Sequence, residues 1–149
     1  MARFRHALLA AAVLAGLCFA CRKETGDPVR ETLDRIAKAA NKRDATAVVA
    51  NLAESYRDAE GQAPADVLGL LRRYFAAYDI LDVKISSLEI ERAPEAARAR
   101  FRAQLSGQPA KLGGLDRFLP SSSRYDFDVR LVPDGGRWKV AWASWQPAP

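Results

Sequence analysis

The side chains best equipped for metal binding, disulfide formation or imidazole catalysis crowd into one end of this chain. Its single histidine, His6, and its two cysteines, Cys18 and Cys21, all fall within the first 21 residues. If that stretch is removed on maturation, most metal sites, histidine acid–base chemistry and disulfides leave with it. Over the rest of the chain the sharpest polar pattern is Arg98, Arg100 and Arg102, whose period of two sets three guanidinium groups on one face of a strand. Such a ladder suits an anion. Asp126 and Asp128 alternate in the same way, and if their strand pairs antiparallel to the first, both signs share one face and cross-strand pairs neutralise much of the charge. The three tryptophans, Trp138, Trp142 and Trp145, offer flat faces for a carbohydrate or serve as sheet packing; by simple alternation Trp145 has the opposite phase to the other two.

Arg3, Arg5 and His6 form a basic region ahead of the apolar run from Ala7 to Ala20. About 14 residues are too few to span a bilayer, which takes about 20, but they fit the core of a secretory signal. Residues 1–20 are therefore read as a signal peptide and excluded from the fold. The stretch Leu17-Cys18-Phe19-Ala20-Cys21 resembles a bacterial lipobox, in which a small residue precedes the cysteine that becomes the lipid-modified N-terminus. Ala20 and Cys21 match that motif, whereas Cys18 stands where Leu is usual and Phe19 where a smaller residue is usual. The resemblance implies lipidation of Cys21 and membrane attachment through acyl chains such as palmitate. Several chains on one cysteine, at roughly 0.8 kcal/mol per buried methylene, anchor stably where one chain does not. An ordinary cleaved signal and an uncleaved anchor are the alternatives. By resemblance to enterobacterial sorting, Arg22 in place of Asp after the cysteine points to the outer membrane, facing the periplasm.

The length of 149 residues suits one domain, and 49% hydrophobic with 28% charged residues excludes a disordered or polytopic membrane chain. Removing the signal lowers the formal charge from +5 to +3, because Arg3 and Arg5 go with it. That surplus is small, and no recognisable nucleic-acid motif accompanies it, so nucleic acid is not an expected partner. Residues 21–26 form a polar tether that reaches about 20 Å at most, which holds the domain at 27–149 close to its membrane.

Asp27-Pro28 reads as a helix start, followed by Val29, Leu33, Ile36, Ala37 and Ala40 at helical spacing as far as Asn41-Lys42-Arg43. Asp44 caps a second helix with the stripe Val48, Val49, Leu52, Ala53 and Tyr56, closed by Asp58-Ala59-Glu60-Gly61. Pro64-Ala65-Asp66 opens a third, with Val67, Leu68, Leu70, Leu71, Tyr74, Phe75 and Tyr78 on its stripe. From Ile80 onward the period is that of strands. The phase changes between Leu81, Val83, Ile85 and Leu88, Ile90, which predicts a bulge or bend around Ser86-Ser87. Strands follow at Ala97–Leu105 and Tyr125–Leu131, and Pro133-Asp134-Gly135-Gly136 turns the last hairpin into Trp138-Lys139-Val140-Ala141-Trp142. Three helices followed by four or more strands is the order of an α+β fold, with the helices packed in a curved antiparallel sheet.

In that layout, the pieces Asn41-Lys42-Arg43-Asp44, Tyr56-Arg57-Asp58, Leu71-Arg72-Arg73-Tyr74-Phe75 and Gly136-Arg137-Trp138-Lys139-Val140 leading to Trp145 resemble the nuclear transport factor two-like (SnoaL-like) superfamily. The chain is similar to small exported lipoproteins of that group whose role is undefined. The resemblance implies a cystatin-like cone of curved sheet around helices, a scaffold shared by enzymes and non-catalytic binders. Scytalone dehydratase chemistry uses histidine, which the mature chain lacks. An isomerase-like pattern needs a carboxylate and a phenol in the cone. Asp58, Asp79 and Asp82 with Tyr56, Tyr74 and Tyr78 are the residues available for it, but tyrosines on apolar stripes are also ordinary core aromatics and aspartates also punctuate helix ends.

One connection, from Ser106 to about Ser123, far exceeds hairpin length. Its Leu112, Leu115, Phe118 and Leu119 need shelter, as a lid over a ligand or as a plug. The sequence is therefore read as a membrane-anchored, non-enzymatic envelope domain that uses no cofactor or metal. It would bind a small apolar molecule or a protein partner at the cone mouth, with Tyr56, Tyr74, Tyr78, Leu112, Leu115 and Phe118 as ligand-binding candidates and Cys21 as the lipidation site. A small isomerase or hydrolase using Asp and Tyr is the alternative. A homodimer through the exposed sheet face is compatible with both.

Overall fold

Asp27 opens the first helix as expected. In the computed structural model, which describes residues 26–111, 113–114, 117 and 119–149, its carboxylate accepts the backbone N–H groups of Val29 at 2.9 Å and Arg30 at 3.2 Å, ahead of α1 (Pro28–Asn41). The signal peptide, Cys21 and most of the tether lie outside the described residues. Arg92, from the far end of a β-hairpin, closes on the same Asp27 carboxylate. Thr32, fully buried, donates its hydroxyl to the Trp138 carbonyl at 2.8 Å and so ties α1 to the last strand.

Asp44 caps α2 (Ala45–Val49) by accepting the Ala47 N–H at 2.9 Å. This helix is far shorter than the stripe through Tyr56 predicts, and Leu52–Asp58 is a strand, β1. Asn51 explains the early stop: its amide bonds back to the Ala47 carbonyl at 2.8 Å, and its own carbonyl accepts the Val140 N–H at 2.9 Å. The backbone thus passes from the helix into a sheet partner at one residue. The spacing of Val48, Leu52 and Tyr56 fits a helix locally, and long-range pairing overrides it.

After the turn at Gly61, α3 (Pro64–Ala76) begins with Asp66 accepting the Ala63 N–H at 2.9 Å. Tyr78 belongs not to its stripe but to the start of β2 (Tyr78–Ala93). β3 (Ala96–Pro109), β4 (Ser122–Asp134) and β5 (Arg137–Pro147) follow. The five strands form one sheet in the order β1-β5-β4-β3-β2. Its β2–β3, β3–β4 and β4–β5 pairs are antiparallel, and β1 joins β5 in parallel. The architecture is the expected α+β cone, with the correction that one edge strand is parallel.

Two bulges set which residues face inward. On β2 the register shifts between Ser86 and Glu89, with Ser87 at φ 52°, so Leu81, Val83 and Ile85 before it and Leu88 and Ile90 after it all reach the core. On β5, Arg130 faces Trp142 while Leu131 faces Val140, which leaves Ala141 extra. Trp138 and Trp145 consequently share the inner face, and Trp142 turns outward beneath the Arg130 guanidinium, 4.7 Å from its ring centroid. Simple alternation grouped Trp138 with Trp142; the bulge exchanges the partners.

The core has two parts. At the closed end of the cone, Val29, Leu33, Ala99, Leu131 and Val140 pack almost without exposure. Toward the open end, Val48, Phe75 and Leu81 form a looser cluster with α2 and α3.

Candidate functional site

Between α1, α3 and the inner face of the sheet lies a cavity of about 390 Å³. Every described residue on its wall is apolar or aromatic. Helices α1 and α3 supply Leu33, Ile36, Val67 and Leu71, and the strands supply an aromatic side made of Phe101, Phe127 and Trp145. These three rings stack across β3, β4 and β5. The Phe101 and Phe127 centroids are 5.2 Å apart and nearly parallel, and Phe127 and Trp145 are 5.9 Å apart. Leu70 and Trp145 line the cavity and are both 39% exposed, so they mark where it opens to solvent.

The alternation of strands puts aromatics here because Phe101, Tyr125 and Phe127 occupy inward positions in paired register, Phe101 opposite Phe127 and Ala103 opposite Tyr125. The small Ala103 leaves the room that a larger residue would fill. Gly107 does similar work at the edge: a Cβ there would lie 2.8 Å from both the Ile80 carbonyl oxygen and the Tyr78 ring. Only a glycine lets β3 pass that close to β2.

Among the residues singled out from sequence, Tyr56 and Tyr74 line the cavity. Tyr78 stands beside it: it is 2% exposed, its ring is 5.1 Å from that of Tyr74, and its hydroxyl donates to the Pro120 carbonyl at 2.9 Å. That bond, with Gly107 N–H donating to the Ser121 carbonyl at 2.9 Å, pins the end of the long connection against the sheet. Leu112, Leu115 and Phe118 lie outside the described residues. Gly113 and Gly114 between them have positive φ and are exposed.

The carboxylates are placed elsewhere. Asp79 is exposed, and Asp82 pairs with Lys84 at 3.2 Å. Asp58 is 4% exposed, but one oxygen accepts the N–H groups of Glu60 at 2.9 Å and Gln62 at 2.8 Å to hold the turn after β1; none of the three is among the cavity's described lining residues. Burial, and then the Asp58 charge, push the Tyr56 phenol up to about 12. Tyr74 is also raised, by burial first and then by the neighbouring Tyr78. Both phenols are thus neutral hydrogen-bond donors at ordinary pH.

On the outer face the arginine ladder is compensated. Arg98 reaches Asp128 with Nε to Oδ1 at 2.9 Å, and Arg102 reaches Asp126 at 2.8 Å. Arg100 turns the other way, to Glu91 at 2.6 Å on β2. The expected cross-strand pairing therefore holds for two arginines, and the third finds its partner on the opposite neighbour. The aromatic cavity-wall residues Phe101, Tyr125, Phe127 and Trp145 were not among the ligand-binding candidates read from the sequence, which offered Trp145 only as a carbohydrate face or as sheet packing. The first three were readable from their inward phase, but Trp145 was not, because its phase depends on the bulge at Ala141.

No family model matches this chain, and no curated protein matches it. Solved structures do. The chain is similar to a nuclear transport factor 2 (NTF2-like) superfamily protein from Salmonella enterica, with a TM-score of 0.66 at 11% identity over 81% of this chain and 89% of that one. It is similar to the hexachlorocyclohexane dehydrochlorinase LinA type 2, with a TM-score of 0.62 at 11% identity over 82% of this chain and 87% of that one. It also resembles Bd1075 of Bdellovibrio bacteriovorus, with a TM-score of 0.66 at 10% identity over 80% of this chain but only 40% of that longer one. At such identities the shared property is the fold: this chain has the nuclear transport factor 2-like cone.

Proposed function

We propose that the mature chain is a membrane-anchored envelope protein whose cone holds a small apolar ligand without converting it. The observation that carries this reading is the cavity wall. A space of about 390 Å³ falls within the usual range of small-molecule sites, and its described lining has phenols but no carboxylate, lysine or arginine. An isomerase or hydrolase using Asp and Tyr would need a carboxylate at the cavity, and Asp58, Asp79 and Asp82 lie off its described wall. The cone neighbours include an enzyme, so the fold leaves the choice to the site.

The anchor rests on the basic region at Arg3 to His6, the short apolar run and the Ala20-Cys21 junction. An outer-membrane location facing the periplasm is the corresponding proposal. Intact mass of the membrane-fractionated protein reports it: an N-terminus other than acylated Cys21 removes the lipoprotein reading.

The cavity is tested with the uncharged fluorophore N-phenyl-1-naphthylamine. Titrated into the full chain it should brighten saturably. Leu105→Trp, which puts an indole into the cavity, should weaken that binding by about tenfold or more while the melting temperature stays near that of the unmodified protein. An unmodified chain that leaves the probe dark is not a ligand-binding cone of this kind.

A further inference from the structure

The polar side-chain atoms among the described lining residues belong to three phenols, Tyr56, Tyr74 and Tyr125, and to the indole N–H of Trp145, which is 39% exposed at the mouth. They are not equivalent. Tyr74 is half-buried against Tyr78, with ring centroids 5.1 Å apart, and the Tyr78 proton goes to the Pro120 carbonyl. Tyr125 is half-buried, and water can serve it. Tyr56 is 3% exposed, its ring lines the cavity, and its hydroxyl has no hydrogen-bond partner among the described residues. It is not sealed into the protein either. The one sealed side-chain oxygen without a partner among the described residues is Oδ2 of Asp58, two residues along the same strand. The Tyr56 hydroxyl is therefore not sealed, and the space that this residue lines is the cavity.

A buried hydroxyl without a partner is unfavourable, and a ligand atom that completes the bond gains by it. The hydroxyl donates, so the complementary ligand atom is an acceptor. Charge narrows the choice. No cation is among the described lining residues to neutralise an anionic head group, and the Asp58 carboxylate acts on Tyr56 with a negative charge. A carboxylate ligand would be desolvated beside like charge.

We propose that Tyr56 is the polar anchor of the cavity and that the ligand is an uncharged apolar molecule bearing one hydrogen-bond acceptor, such as a ketone or ester oxygen, rather than a fatty acid. This rests on the cavity being a ligand site and goes further by naming the ligand's chemistry.

Three probes of closely similar shape test it: 2-acetylnaphthalene, 2-ethylnaphthalene and 2-naphthoate, titrated into the full chain at neutral pH and followed by quenching of tryptophan fluorescence, since Trp145 lines the cavity. The acetyl compound should bind about fivefold more tightly than the ethyl compound, the ratio equivalent to one net hydrogen bond of roughly 1 kcal/mol. The naphthoate should bind most weakly. In Tyr56→Phe the acetyl preference should vanish while 2-ethylnaphthalene binds at least as well as before. In Tyr125→Phe the preference should persist. Equal binding of acetyl and ethyl probes by the unmodified chain overturns the anchor, as does a preference that survives Tyr56→Phe or moves with Tyr125→Phe. Tightest binding by the naphthoate overturns the neutral-ligand assignment. Failure of all three probes overturns the cavity reading itself, a different result from binding without preference. The ranking in the unmodified chain stands as a test even where a variant folds poorly.

Discussion

On β3 and β4, residues one position apart have opposite surroundings. Ala99, Phe101 and Ala103 meet Val129, Phe127 and Tyr125 inside the cone, whereas Arg98, Arg100 and Arg102 meet Arg130, Asp128 and Asp126 outside it. The inner row is held by volume. Small residues at Ala99 and Ala103 set how closely the helices approach and where space remains, and the aromatic pair between them forms a wall. The outer row is held by charge, in pairs that water reaches from one side. A small change in side-chain volume is therefore felt on the inner face, while the outer face tolerates a lost contact because solvent replaces it. For a proposed ligand-binding cone this division separates the two tasks. The face that would select a ligand is the face that packs, and the face that meets the surroundings can change without altering the cavity.

The sharpest test of that division is a truncation at the closed end of the inner row. Leu131 is fully buried against Ala97 and Val140. Leu131→Ala should cost roughly 2 to 5 kcal/mol of unfolding free energy, measured by urea denaturation. A loss below 1 kcal/mol would mean that this end of the cone is not close-packed, and the contrast between the faces would fail. On the outer row, Arg100→Gln removes the contacts to Glu91 and Glu89 from a side chain that is 47% exposed. The same measurement should give only about 0.2 to 1 kcal/mol, because exposed pairs gain little over water. Binding of the naphthalene probes should not change. Loss of probe binding in Arg100→Gln would show that the outer ladder shapes the cavity after all.

The contrast was largely legible in the sequence because it is written in period two. Phe101 and Arg102, or Phe127 and Asp128, declare their faces by alternation alone, and the phase change at Ser86-Ser87 announced the bulge that curves β2. Three features were not legible, each for a tertiary reason. β1 looked like helix because Val48, Leu52 and Tyr56 keep helical spacing, and only the pairing of Leu52 with Val140 makes it a strand. The inward turn of Trp145 depends on Ala141 standing unpaired opposite β4; its opposite phase to Trp138 and Trp142 is visible in the sequence, but alternation alone does not say where the strand changes face. The difference between Tyr56 and Tyr78 is also a matter of partners: both are buried tyrosines in sequence contexts rich in apolar residues, but the Tyr78 hydroxyl finds the Pro120 carbonyl 42 positions away, and the Tyr56 hydroxyl finds none among the described residues. Candidate site residues could be nominated from pattern, whereas the wall of the cavity needed the register of the whole sheet.

The smallest expected effect separates the faces by pH. The Arg102 and Arg98 guanidinium groups hold the Asp126 and Asp128 carboxyls below their ordinary range, chiefly through direct hydrogen bonds. A carboxyl whose pKa is lower folded than unfolded contributes stability that is fully present above the unfolded value, about 4, and is lost as pH falls through the lowered folded value. Between pH 7 and pH 5 both carboxyls are ionised in either state, so these outer pairs should add no slope to the stability there. Below about pH 4 they should add a decline. The double variant Asp126→Asn with Asp128→Asn removes this contribution. Its melting temperature should therefore run parallel to that of the unmodified chain from pH 7 to pH 5 and fall less steeply below, and added salt should shrink the difference because the pairs are solvent-exposed. Probe binding at pH 7 should be the same in both proteins. A slope that differs between pH 5 and pH 7 would place the governing titration on other groups, and a change in probe affinity would show that the charges outside reach the cavity inside.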